Sequence, residues 1–539
     1  MAFRAAAPLG GPAARPLGPL LGSIVLSAAG LAALAASTYL APTPAAAVMA
    51  AAGLAAPAAW LLWTYPELGL VLLSAAAAGL LPLSRPAADA TALALVALVV
   101  ARGLAGQRVE LPRWPITGPL LAFAGCAAFS ALYALVWQAV SPSFVLAELR
   151  PAAYAAVCAA VGSLLWRRGQ LVRLAVGLYL VADLTAAAVI LQQFKGGKAL
   201  LLPGMEAGGW QIDALGGSAT LFGGVRIVPP GHVLLFLLSI VAFCLLLSPL
   251  RSAARWACGL QFAFLNLALL LTYTRAQWIA SVVALGLACL LMPATARRRL
   301  ARLVFAALGP GVLVAGLAVA GLLGSGSRAG HGIDALFARA SSLAAPGETL
   351  DSTSLQWRVF EIGEALKSIA EHPWLGVGLG NDYRPRTLLG GEARGDPRVT
   401  RFGGDTRLTR FMHNGYLYVA TKAGLPALAV LGWFAVALLV VGGRAYVAAP
   451  DAPPKALALA VICTFAGFLE WTFFEPHLML PPSMATIGMM VAVLGAFDRR
   501  SRAAPERSRS GDRPRAGADL NRRSAAEERR PSTSPLCNA

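Results

Sequence analysis

The sequence predicts an all-α polytopic membrane protein, a bundle of twelve to fourteen transmembrane helices with one large outer loop. Three observations carry that prediction. The 539 residues are 57% apolar and 13% charged, with a mean hydropathy of +0.65, more apolar surface than a soluble chain of this length could hide. Apolar runs of about 20 residues recur between short charged turns, and that is the length needed to cross hydrocarbon. No run alternates with a period of two, which argues against a β-barrel.

In chain order the candidate spans are 18–38, 44–63, 67–83, 88–105, 116–138, 147–166, 172–193, 229–249, 255–273, 276–293, 302–324, 424–443, 455–474 and 479–497. The second and third are Ala-rich and nearly contiguous, which is why the span count is a range. The first follows Arg4 and Arg15 as a signal peptide would. It is long for such a segment and further membrane sequence follows, so it reads as a retained anchor. The domains expected are a membrane bundle over 1–324 of about eleven spans, an outer loop over 325–423, three further spans over 424–497, and a tail over 498–539.

Basic residues orient the bundle. With the N-terminus in the cytoplasm and strict alternation, the inner turns receive Arg102, Arg108 and Arg113; Arg167, Arg168 and Arg173; Arg251 and Arg255; Arg297, Arg298, Arg299 and Arg302; and Arg444 and Lys455. Among the short outer turns, Arg85 is the main exception. Both termini are therefore expected inside, with 194–228 and 325–423 outside. The net charge of +19 owes much to the tail, which holds eleven arginines after residue 498. Its Pro/Ser/Arg/Glu composition predicts a disordered segment lying against anionic inner-leaflet lipid. It contains no aromatic residue, so nucleic acid is not an expected partner. Six of the seven cysteines fall inside spans and the seventh, Cys537, is in the tail, a pattern of small packing residues and not of disulfides.

Chemistry is thereby confined to the outer face. Thr353-x-x-Gln356 resembles a capping box, and Leu355, Val359, Ile362, Leu366 and Ile369 then recur at helical spacing, with Arg358, Glu361, Glu364, Lys367 and Glu371 between them. This predicts an amphipathic helix that Pro373 ends, either a packing helix or a lid over a lipid-linked substrate. Gly376-Val377-Gly378-Leu379-Gly380-Asn381 lacks a following Walker lysine and a βαβ setting, so it reads as tight backbone turning. Asp382 through Arg410 supply seven arginines, diluted by four acids, whose guanidinium forks suit phosphate oxygens or a solvated surface.

Single residues at the membrane border stand out further. Arg275, in Thr274-Arg275-Ala276, lies between two spans at their outer ends, where a guanidinium lines a polar cavity, reaches an anion, or snorkels. Arg226 occupies a similar border. His413, in Phe411-Met412-His413-Asn414-Gly415, sits where the large loop re-enters the membrane, with Arg410 and Asn414 beside it. An imidazole whose ordinary pKa is near 6.5 suits proton transfer there. His232, and the group Glu470, Glu475 and His477, are weaker candidates; Glu470 is expected to need a partner, which an arginine of the site could supply. The histidines show no HExxH or paired-ligand spacing, so neither a metal nor a cofactor is expected.

These pieces resemble the O-antigen ligase and polymerase superfamily of bacterial membrane glycosyltransferases. His413-Asn414, nine residues, then Gly424 resembles the signature that follows the family's large periplasmic loop, with Ala427 departing at its fourth position. Thr274-Arg275-Ala276 resembles the family's Thr/Ser-Arg-Gly turn, and His372-Pro373 through Gly380 resembles the segment preceding the signature. The resemblance covers roughly 215–445. It implies transfer of a glycan from undecaprenyl diphosphate to an acceptor hydroxyl at the periplasmic face of the inner membrane, without metal. It implies His413 as base or orienting group, and Arg275, with Arg226 more loosely, as diphosphate ligands. The acceptor would be lipid A–core, as in lipopolysaccharide assembly, a further repeat unit, an exopolysaccharide chain, or a protein hydroxyl. A transporter or flippase is the alternative from another class, and would call for ionisable residues inside several spans; Asp183 lies well inside one, and Glu470 could join it.

Overall fold

The computed structural model describes residues 57–81, 84–106, 114–165, 167–195, 200–203, 205–208, 226–308, 353–384, 410–449 and 453–511. The expected span 18–38, most of 44–63 and 302–324, the capping-box side chains and the tail from 512 lie outside what is described. Within it the fold is an all-α polytopic bundle. Its elements are α1 (Pro57–Thr64), α2 (Pro66–Ala77), α3 (Ser84–Leu104), α4 (Trp114–Val136), α5 (Pro142–Gly162), α6 (Arg168–Lys195), β1 (Glu206–Gly208), β2 (Arg226–Val228), α7 (His232–Leu246), α8 (Ser252–Leu270), α9 (Arg275–Leu291), α10 (Ala294–Leu308), α11 (Thr353–Glu371), α12 (Gly415–Ala448), α13 (Pro454–Phe474), a 3-10 turn at His477–Met479, and α14 (Pro481–Gly511).

Among the described residues seven helices are long and apolar enough to cross a membrane, α3, α4, α5, α6, α8, α12 and α13. Helices α7, α9 and the first half of α14 are apolar but shorter. Where the expected spans 44–63 and 67–83 adjoin, the described helices α1 and α2 meet at 112°, as in a broken span or a re-entrant loop. Pro66 opens α2 and has no N–H to continue the ladder of α1. Two other boundaries move. Helix α14 runs past residue 498 to Gly511. Helix α12 starts at Gly415, not 424, and bends at Gly424.

Helix α7 is the centre of the bundle. Every side chain from His232 to Cys244 is buried, as expected of a helix apolar on all sides. Small residues let helices close on each other, which matters where lipid offers no hydrophobic drive for association. A Cβ at Gly162 would strike Ala492, one at Gly488 would strike Ala155, and one at Gly467 would come within 2.6 Å of the Ala280 carbonyl. These contacts join α14 to α5 and α13 to α9. A short antiparallel ribbon pairs β1 with β2, Gly208 opposite Arg226.

The helix ends form two groups. At one end Arg299 donates to the Leu247 carbonyl (3.2 Å) and Tyr446 to that of Leu291 (2.8 Å), joining the ends of α7, α9, α10 and α12. At the other, Gln193 donates to the Leu271 carbonyl (2.7 Å) and Gly380 N–H to Glu148 (2.6 Å). The second end carries α11, the ribbon, the start of α12 and the α13–α14 corner, and with them the candidate residues.

Candidate active site

Asn414 caps α12. Its side-chain oxygen accepts from the N–H groups of Tyr416 and Leu417, both at 3.0 Å, two donors a helix start leaves over. His413 is thereby the last residue outside the helix, and α11 decides its orientation. Glu361 Oε2 lies 2.7 Å from His413 Nδ1 and also accepts from the His413 backbone N–H at 3.2 Å. With the proton on Nδ1 facing the carboxylate, Nε2 carries the lone pair. The imidazole side chain is 25% exposed while Glu361 is 3% exposed, so the ring is reachable and its carboxylate partner is not. Arg384 supplies countercharge to Glu361 at 3.7 Å, is itself fully buried, and stacks on Phe360 and Tyr383. Burial pushes the Tyr383 hydroxyl above its ordinary pKa despite Arg384, which keeps it a donor to the Phe411 carbonyl (3.3 Å).

The glycine-rich segment after α11 is a splint for α12. Val377 and Gly378 N–H donate to the carbonyls of Thr421 and Lys422 (2.9 and 3.0 Å), and Leu425 N–H donates to Pro373 (2.8 Å). Gly424 has φ 84° and ψ 170°, a region open essentially to glycine, and an added Cβ would enter the Trp374 carbonyl. Gly376 (φ +66°) faces Lys422 in the same way, a Cβ there meeting its carbonyl carbon at 2.5 Å. The two sequence motifs thus require each other: both backbones must approach without side chains. Beneath the splint Lys422, fully buried, pairs with Glu148 at 3.2 Å and donates to the Asn381 carbonyl.

The other expected residues are placed as follows. Arg410 pairs with Asp382 at 2.8 Å and lies over the Phe144 ring. Arg275 is the first residue of α9 and half-buried, after Tyr273 with φ 53°. Helix α9 packs on α13, so Arg275 shares an end with Glu470 and Phe474. Glu470 Oε2 is buried with no hydrogen-bond partner among the described residues, and the carboxylate neighbours Tyr416. Arg226 lies in β2, and its side chain is outside the described residues. Thus His413, Asn414 and Arg410 cluster with α11 and the splint, while Arg275 and Glu470 flank the α9–α13 contact.

Helix α11 corrects the simplest expectation for an amphipathic helix. Its buried side carries Glu361, Glu364, Ala365 and Ser368, and Val359, Ile362 and Leu366 are exposed. The polar face turns inward because it serves His413; the apolar stripe, with Trp374 and Leu375, looks outward. Glu361 was visible in the sequence only as one of several polar positions on this helix. The Glu148–Lys422 pair was signalled by two ionisable groups at the edges of apolar runs, but 274 residues separate them. His232 and His477, far apart in sequence, also meet, with ring centroids 5.1 Å apart.

The match to known families agrees with this architecture. The family model described as O-Antigen ligase matches residues 259–432, from α8 into α12, across both the Arg275 turn and the His413 segment. Over those residues the chain is similar to the O-antigen ligase family, which supports a membrane enzyme of the ligase or polymerase type. No curated protein matches the chain.

Proposed function

We propose that this protein transfers a glycan from undecaprenyl diphosphate to an acceptor hydroxyl on the outer face of the bacterial inner membrane. The observation that carries the reading is His413, with Nδ1 held by buried Glu361 and its ring partly open at the bundle end away from the basic turns. The acceptor oxygen attacks the anomeric carbon, its proton passes to His413 Nε2, and the bond from that carbon to the diphosphate oxygen breaks. Undecaprenyl diphosphate leaves with the bonding electrons and takes up the proton from His413 or solvent. Arg275 and Arg226 are assigned to the diphosphate, where fixed guanidinium charge stabilises the leaving group without metal at the reacting atoms. Glu470, half-buried near that end of α13, is assigned a supporting role toward donor or acceptor hydroxyls. Arg410, committed to Asp382 and Phe144, and Asn414, committed to its cap, position the loop and helix around His413.

A transport reading calls for ionisable residues inside several spans, and among the expected candidates it rests on Asp183, which accepts a hydrogen bond from Gln261 of the adjacent helix. The test is a deletion strain complemented with wild type or His413→Ala at equal membrane expression. Loss of a general base predicts transfer slower by about 10²–10⁴-fold, with lipid-linked glycan accumulating. Long chains on the lipid identify a ligase and single repeats a polymerase. A wild-type glycan profile with His413→Ala would overturn the proposal.

A further inference from the structure

We propose that His232, Glu475 and His477 form a binding site for one divalent transition-metal ion of the zinc type, beside the His413 site and separate from its chemistry. Sequence spacing gives no hint of it. His232 opens α7, Glu475 follows the last residue of α13, and His477 opens the 3-10 turn. Folding brings one ligand atom from each within 4.8 Å of the others.

His477 is fully buried, and its Nε2 has no hydrogen-bond partner among the described residues. A buried ring nitrogen in that state is costly unless something binds it. Glu475 Oε2 lies 3.4 Å from it. Zinc bonds of about 2.1 Å place the ligand atoms of a tetrahedral site roughly 3.4 Å apart. That pair already has the spacing, and small side-chain rotations close the remainder.

Each ligand also has the outer partner that metal sites use to fix ring tautomers and carboxylate direction. His232 Nδ1 faces the Pro229 carbonyl at 2.6 Å, which places its proton there and leaves Nε2 as the lone-pair nitrogen. Ser483 Oγ lies 3.4 Å from His477 Nδ1. The Trp471 indole donates to Glu475 Oε2 at 3.2 Å, and its ring packs on both imidazoles. Two neutral imidazoles and one carboxylate with a position left for water suit zinc and its neighbours in the first transition row, and exclude a preference for magnesium or calcium.

The ion would join the start of α7 to the α13–α14 corner. That corner touches the entry to α12: Thr472 and Leu478 lie against Gly415, two residues from His413. The site is therefore a clamp at the centre of the outer end, stabilising the frame that holds the base.

The test uses the full-length chain in detergent, purified through a tag without histidines, stripped with a chelator and titrated with Co²⁺ and then Zn²⁺. We expect one Co²⁺ per chain, with a visible absorption band that Zn²⁺ abolishes, and a melting temperature raised by Zn²⁺. His477→Gln and Glu475→Gln should each weaken binding at least about 100-fold, the upper end of what loss of even an outer partner costs. His413→Ala should bind as wild type. Should His477→Gln fail to match the metal-free wild type in melting temperature, Glu475→Gln decides, since it retains an acceptor for Trp471. Absence of stoichiometric binding by wild type, or unchanged binding by Glu475→Gln, would overturn the proposal.

Discussion

Glu361 touches His413 through both the ring and the backbone, so one buried carboxylate sets tautomer and orientation together. Burying it is tolerable because Arg384 lies on its far side; a buried carboxylate without partners would cost several kcal/mol. Acting through His413, Glu361 is a positioning residue. Glu361→Gln is expected to lower kcat roughly 10-fold or more with little change in donor KM, and to cost nothing further in a His413→Ala background, since residues acting as a unit are not additive. Additive losses in the double variant would sink the pairing. The Lys422–Glu148 pair serves another purpose at the same scale. It sits under the splint and ties α5 to α12.

At the scale of elements, α12 and the segment 373–381 form one unit. Pro426 cannot donate within the helix, and Gly424 takes the backbone out of helical geometry two residues earlier. The orphaned groups find partners in the splint, as the Leu425 N–H shows by donating to Pro373. Gly424→Ala introduces backbone strain of about 1–3 kcal/mol and a collision with the Trp374 carbonyl. It should lower the melting temperature in detergent and reduce transfer by displacing the start of α12. A variant with unchanged melting would show that the splint yields. Helix α11 is fitted to two media, carrying Glu361 on the side facing the bundle and exposing Val359, Ile362 and Leu366 on the other. Such a stripe suits an interfacial helix that rests on lipid, where the proposed lipid-linked donor would lie beside His413.

Across the whole molecule the two ends differ in charge chemistry. Arg167, Arg168 and Arg173 open α6, Arg251 and Arg255 lie at the start of α8, Arg297, Arg298, Arg299 and Arg302 line α10, and Lys455 lies at the start of α13. All of these are at the end opposite His413. The positive-inside rule then predicts the His413 end to face outside. With the seven native cysteines replaced, a cysteine at the exposed Trp374 should react with an impermeant maleimide in intact cells, and one at Arg298 only after permeabilisation. The reverse pattern would invert the topology and remove the proposed donor from reach.

The sequence by itself determined the class of molecule, because span length, hydropathy and basic turns are local quantities that lipid and water read directly. It also marked His413, Arg275 and the Gly376–Gly380 segment, since an imidazole, a guanidinium and repeated glycines are conspicuous at the borders of apolar runs. Partners were another matter. Glu361 looks like any polar position on an amphipathic helix until α11 docks with that side inward. Glu148 and Lys422 are 274 residues apart, and His232 meets His477 only because α7 runs through the centre of the bundle to the α13–α14 corner. The angle between α1 and α2 and the bend at Gly424 depend likewise on what packs against them. Those facts are decided by tertiary structure because burial makes each charge or lone pair depend on a neighbour that chain order does not reveal.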